Sequence, residues 1–203
     1  MASNRSCDTP VPAAPLRIAL LAGLLVLSLG LTACGTRSVG TGVLLWSPDE
    51  SMLESGSVVN VRSESDLNDS YTITSQALAE PLEIARWRVA FHEEEESARA
   101  AAADYEAAFD GNTTLYARAT RNALPMRSDA QPGATNTVYR LREGEEIKLI
   151  GREPEETNQG GLVSYWYEAL TATGERGWVF GYTLEVYDPT DASVVVETGG
   201  STD

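Results

Sequence analysis

Tyr165-Trp-Tyr-Glu-Ala-Leu170 and, just beyond it, Gly174-Glu-Arg-Gly177-Trp178-Val179-Phe180-Gly-Tyr182-Thr-Leu184 decide the fold. The first run is rich in aromatic residues and the second in aromatic and β-branched ones, and a glycine-bearing turn separates them, so they read as paired strands. Gly174 and Gly177 allow the turn to be tight. Along the second run Trp178 and Phe180 share one strand face, while Val179 and Gly181 share the other. One of those faces must be the core.

Working outward, the same signature recurs in Leu115–Ala119, Thr137–Arg142 and Glu146–Ile150, with the first quoted run opening at Val163. The connection Gly151–Gly161 is polar and long for a hairpin. Five short strands with glycine turns over about 75 residues suit a small, strongly bent barrel. Upstream, Val43–Trp46, Ser57–Arg62, Tyr71–Thr74 and Leu82–Phe91 are also extended in character, with Ser-Pro-Asp, Glu-Ser-Gly and Asp-Leu-Asn-Asp between them. Leu53-Glu-Ser-Gly56-Ser-Val-Val-Asn-Val61 parallels Leu141-Arg-Glu-Gly144-Glu-Glu-Ile-Lys-Leu149, and Trp87-Arg-Val89 parallels Trp166-Tyr-Glu168, which suggests an internal duplication. The closing Gly-Trp-Val strand is expected to be missing from the first copy.

Between the halves the period changes. Glu93–Asp110 is dominated by alanine and glutamate, both helix formers. Ala98, Ala102, Tyr105 and Phe109 fall on one helical face, four glutamates open the run, and Gly111 or Asn112 can end it in a left-handed conformation. This helix stands where the first copy should close. It is either an acidic docking surface or a solvated helix covering one end of a small sheet.

Taken in order, Ala119 through Leu124-Pro-Met-Arg127, Leu141–Ile150, Tyr165–Leu170 and Gly174–Leu184 resemble the bacterial SH3-like (SH3b) domain over about residues 112–188. Met126 stands where that family commonly has Val, and Gly151–Gly161 is longer than usual. The resemblance implies a mainly β chain: two small SH3-like β-barrel units in tandem, the first divergent, at 43–111 and 112–188, joined by one α-helix at about 93–110. It also implies an aromatic-lined groove for extended peptides, with Tyr139, Tyr165, Trp166, Tyr167, Trp178 and Tyr182 as candidates. Strand alternation cannot expose all six, and core packing is expected to take Trp178 and one of Trp166 and Tyr167. The tandem arrangement is similar to lipid-anchored, SH3-containing proteins of spirochaetes.

The amino terminus reads as an address. Arg5 and Arg17 precede an uncharged run, Ile18–Leu31, that is shorter than a membrane span. Leu31-Thr32-Ala33-Cys34 resembles the bacterial lipobox. That implies cleavage of residues 1–33 as a signal peptide, and a diacylglyceryl thioether plus N-acyl chain (palmitate-type) on Cys34. Gly35 rather than Asp then favours the outer membrane. Residues 34–42 are the lipidated cysteine and tether, and 189–203 a flexible tail to which Val194–Val196 can add an edge strand. With Cys7 removed and Cys34 lipidated, no thiol or disulfide is left.

Charge and residue type narrow the function. The chain has 15 Lys and Arg against 30 Asp and Glu, a net charge of −15. Nucleic-acid binding, which needs clustered cations, is excluded. One lysine, Lys148, stands among fourteen arginines, and His92 is the sole histidine. A nucleophile–base pair and a zinc site are therefore not expected. Asp66–Ser70 begins like a calcium loop, but Tyr71 occupies the place of the required Gly. No phosphate loop, metal or cofactor is expected, and the chain is not expected to be an enzyme. The expected function is a lipid-anchored envelope protein that binds or scaffolds a protein or peptide partner. The alternatives are a peptidoglycan-peptide binder acting through 112–188 and, less favoured, a carbohydrate hydrolase using a carboxylate pair. Residues 39–111 carry 15 acids against 4 bases, and residues 112–188 carry 11 against 8, which favours a basic partner for the first half.

Overall fold

The computed structural model describes residues 38–133, 135–191 and 195–196. Residues 1–33, expected to be a signal peptide, and Cys34 lie outside the described residues. β1 (Gly40–Leu44), β2 (Val58–Ser65), β3 (Ser70–Thr74), β4 (Leu82–Ala85) and β5 (Val89–His92) form an antiparallel sheet in the order β4-β3-β2-β1-β5. The second sheet uses β6 (Tyr116–Ala119), β7 (Leu124–Arg127), β8 (Thr137–Leu141), β9 (Glu146–Arg152), β12 (Trp166–Thr171), β13 (Arg176–Phe180), β14 (Leu184–Tyr187) and β15 (Val195–Val196). Its order is β15-β14-β6-β9-β12-β13-β7-β8, and β10 (Thr157–Gln159) and β11 (Leu162–Ser164) make a separate hairpin.

The two units share one register. Gly42 faces Val59 and Phe91, as Ala117 faces Ile147 and Val186. Tyr71 faces Glu64 and Ile84, as Tyr167 faces Arg152 and Val179. The ladder of β2 skips Arg62 and that of β9 skips Ile150, so even the bulge recurs. Gly56 and Gly144, at φ 88 and 76, turn the chain into these two strands. The tandem SH3-like reading therefore holds, and the chain is mainly β with one long helix among the described residues.

Several expectations change. The segment 82–91 is not one strand: Arg86–Arg88 forms a 3-10 turn between β4 and β5. The counterpart of the Gly-Trp-Val strand is thus present as β4, whose Ile84 faces Tyr71 as Val179 faces Tyr167; β5 follows and pairs with β1 as β14 pairs with β6, and the helix is an addition. Trp87 sits on that turn and matches Tyr182 on the 3-10 turn Gly181–Thr183, not Trp166. Gly40, Thr41 and Gly42 belong to buried β1 rather than to a tether. The 163–170 run breaks after Ser164, between β11 and β12. In the tail, Val195 and Val196 pair with β14.

Packing follows the register. Leu44, Val59, Val61, Tyr71, Ile73, Ile84 and Val89 fill the first barrel. Their counterparts Ala119, Ile147, Leu149, Tyr167, Ala169, Val179 and Leu184 fill the second. Val179 therefore takes the core face, and Trp178, expected inside, is only half-buried because it alternates with it. Gly177 is dictated by close approach: a Cβ there would lie 2.7 Å from the Arg127 carbonyl oxygen.

Helix α1 (Glu95–Ala108) starts two residues later and ends two earlier than the sequence predicts. Glu95 and Glu96 occupy its first turn, and Asp110 and Gly111, at φ 55 and 93, end it. Ala98, Tyr105 and Phe109 are buried, and Ala102 is partly buried. The helix covers the β1–β5 end of the first sheet. It packs on β1 and β5 of the first unit and on β9 of the second.

Candidate functional site at the junction of the two units

Beyond β1 the chain leaves the sheet as Leu45-Trp46-Ser-Pro-Asp-Glu50. The Leu45 amide donates to the Arg88 carbonyl at 2.7 Å, and the Arg88 guanidinium donates back to the Trp46 carbonyl at 3.2 Å. This clamp fixes Trp46 edge-on to Trp87, with ring centres 5.6 Å apart, and edge-on to Tyr116 of the second unit at the same distance. Asp49 accepts from the amide and hydroxyl of Ser51 at 2.9 and 2.6 Å, and the Ser51 hydroxyl chiefly holds its carboxyl below the usual value. Those bonds shape the loop so that Glu50 turns inward.

Glu50 meets a buried polar seam. Its carboxylate accepts from the Ser55 amide and hydroxyl, each at 2.7 Å, and from the Tyr116 hydroxyl at 2.8 Å. Lys148 of β9 is fully buried beside it, its ammonium 4.0 Å from the Glu50 carboxylate and 4.4 Å above the Tyr116 ring. The Nζ donates to the Thr113 carbonyl at 2.5 Å and the Leu115 carbonyl at 3.0 Å. Burial lowers the Lys148 pKa to about 7, although Glu50 and Asp188 oppose the shift. Tyr105 of α1 donates to the Thr113 and Leu149 carbonyls at 3.0 and 2.9 Å, and the Thr113 hydroxyl donates to the Ser55 carbonyl at 2.6 Å. Burial pushes the Tyr105 and Tyr116 hydroxyls far above their usual range. Loop, helix and second barrel are thus hydrogen-bonded into one wall.

Above that wall lies a cleft of about 730 Å³. Trp46, Pro48, Tyr116, Tyr187 and Pro189 form its apolar sides, and Asp49, Glu50, Glu54 and Glu146 supply carboxylates. Tyr116 and Tyr187 are direct partners across β6 and β14, with ring centres 6.2 Å apart. Arg118, the one cation of the lining, lies 4.2 Å from the Tyr187 ring and 3.6 Å from Glu146. Aromatic faces interleaved with carboxylates form a surface suited to an extended, cationic chain.

The six residues singled out in the sequence do not converge, and none lines this cleft. Tyr167 is core, its ring stacked 6.4 Å from Phe109 of α1. Trp166 is buried against Phe180, so both members of the Trp166–Tyr167 pair are inside, where only one was expected. Tyr165 lies under Arg152, and Tyr139 donates to Glu145 at 3.1 Å. Trp178 is half-buried, and Tyr182 alone is well exposed, at 41%. Trp46, Tyr116, Tyr187 and Glu50 were missed. The signal for Lys148 was present: a lone lysine inside the apolar run Ile147-Lys-Leu-Ile150. Among the described residues no group of three or more His, Cys, Asp or Glu is placed to hold a metal, and no helix is long and apolar enough to cross a membrane.

Residues 39–107 match the model of the N-terminal SH3 domain of the TP0260 family. The match covers the unit whose sequence looked the more divergent, in accord with its register. The chain is also similar to an uncharacterized protein of Treponema pallidum (strain Nichols), with 28% identity over 177 residues. That alignment covers 86% of this chain and 38% of the relative, so the chain spans well under half the relative's length. No solved structure matches.

Proposed function

We propose that this protein is a lipid-anchored binding or scaffolding protein of the bacterial cell envelope, and that its junction cleft takes an extended, Lys- or Arg-bearing segment of a protein partner. The cleft carries the reading: three aromatic rings and four carboxylates against one arginine. The excess of acids in residues 39–111 supports it by drawing basic chains. The anchor rests on Leu31-Thr32-Ala33-Cys34, and Gly35 and Thr36 favour the outer membrane. On this reading the protein holds a partner and catalyses nothing.

A photo-crosslinking residue at Ser51, on the cleft rim, tests the partner in cells. Crosslinked peptides rich in Lys and Arg are expected, and Glu54→Lys should abolish them. Crosslinks confined to peptidoglycan fragments would overturn the reading. The second reading, a peptidoglycan peptide held on 112–188, draws on that unit's milder charge, and co-sedimentation with purified sacculi at low salt checks it. A lysis band in a zymogram would revive the hydrolase. Incorporation of labelled fatty acid, lost in Cys34→Ser, checks the anchor.

A further inference from the structure

Trp166 and Gln159 carry hydrogen-bond donors that nothing among the described residues satisfies. Trp166 is 1% exposed, and neither its Nε1 nor the buried Nε2 of Gln159 has an acceptor. A buried donor left unpaired destabilises the fold, so two beside one cleft require a reason. Both residues line a cleft of about 140 Å³ on the second unit, which shares no lining residue with the junction cleft. Its apolar walls come from Leu124, Pro125, Leu162 and Phe180.

The charges around it are all of one sign. Arg121 is exposed on the rim and makes no hydrogen bond or ion pair among the described residues. Arg127 is committed to the Gly133 carbonyl and, at 2.9 Å, to Asn136 Oδ1. The Thr183 hydroxyl is spent on the Phe180 carbonyl at 2.9 Å. No lining residue bears a carboxylate. Trp166 also borders a separate cleft with Glu153, Glu155 and Glu156, yet none of these accepts from the indole nitrogen.

We propose that this small cleft binds a carboxylate carried on a short apolar group, with Trp166 Nε1 and Gln159 Nε2 donating to it and Arg121 pairing with its charge. A carboxylate offers two coplanar acceptors, matching two N–H donors plus a guanidinium fork. A neutral carbonyl would use the donors but leave Arg121 idle. The carboxylate can end a peptide chain or sit on an acidic side chain.

The test is a titration of the ¹⁵N-labelled protein with N-acetyl-leucine, N-acetyl-leucinamide and N-acetyl-glutamic acid α-amide. With N-acetyl-leucine the Trp166 indole N–H resonance should move downfield and saturate, while the Trp46 indole stays put. The leucinamide should bind at least about tenfold more weakly. Arg121→Gln changes an exposed residue and should weaken carboxylate binding about tenfold with the rest of the spectrum unchanged. Gln159→Leu should weaken acid and amide alike. Binding of N-acetyl-leucine alone assigns the site to a chain end, and binding of the glutamic acid derivative as well extends it to acidic side chains. Equal affinity for acid and amide, or an unmoved Trp166 indole, would overturn the proposal.

Discussion

Lys148 shows most directly how one residue can set a property of the whole chain. A buried ammonium is costly in a low-dielectric interior, and here it keeps two carbonyls, one ring face and a carboxylate at 4.0 Å in exchange. Its pKa falls to about 7 from 10.5. Between those values the unfolded chain holds a proton on Lys148 that the folded chain has lost, so stability rises with pH across the window. Below about 7 both states are protonated and the full cost of burial is present. The rise is at most about 1.4 kcal/mol per pH unit for one group. Urea titrations from pH 7 to pH 9, below the range where tyrosines ionise, should show the wild type gaining on Lys148→Met. Parallel curves would remove the buried charge from the account. Both carbonyls keep a donor in that variant, Thr113 from Tyr105 and Leu115 from the Leu149 amide. Gly174 is a second sensitive residue: at φ 95 it turns β12 into β13, and a Cβ there would lie 2.8 Å from Trp87 of the other unit. Gly174→Ala combines backbone strain with a clash, and a loss of about 1–3 kcal/mol is expected in thermal or chemical melts.

At the scale of elements, Phe109 ends the helix and plugs the seam. Its ring stands edge-on to Tyr105 at 5.9 Å and flat on Tyr167 at 6.4 Å, at 4% exposure. Phe109→Ala should cost about 3–5 kcal/mol, and Phe109→Leu much less, as read from denaturant midpoints. This helix was legible because alanine, glutamate and a 3.6-residue apolar period agree over Glu95–Ala108. The strands were legible where alternation ran between turn residues. The 3-10 turn Arg86–Arg88 was not, because no Gly or Pro marks it and the residues on both sides are equally extended in type. Missing it hid β5 and misplaced Trp87 against Trp166. The parallel between residues 53–61 and 141–149 was correct because a glycine of positive φ and a following buried strand leave the same trace in both copies. The candidate site was illegible for a different reason. Tyr116 and Tyr187 pair across β6 and β14, far apart in sequence, and only the packing of one barrel on the other brings Trp46, from β1's exit, onto them.

At the scale of the molecule, the two barrels are tied together rather than merely strung in tandem. One apolar cluster runs from Val43 and Trp46 through Ala98, Tyr105 and Phe109 into the second barrel's interior. The seam of Glu50, Ser55, Thr113 and Lys148 crosses the same boundary with hydrogen bonds. Separating the units would expose Phe109 and Tyr167 and leave a lysine ammonium and a glutamate without each other, costs that exceed the strength of ordinary surface contacts. Residues whose separation costs this much unfold together, so the chain should melt as one cooperative unit despite its duplicated architecture. Hydrogen exchange followed by mass spectrometry in rising urea measures this directly. Amides of β2 and β3 and those of β9 and β12 should lose protection at one common denaturant concentration. Phe109→Ala should split that transition, because it empties an aromatic plug that both units share. If β2 and β3 open in the wild type while β9 and β12 remain protected, the barrels are independent, and a cleft between them would lack the fixed walls that a partner segment requires.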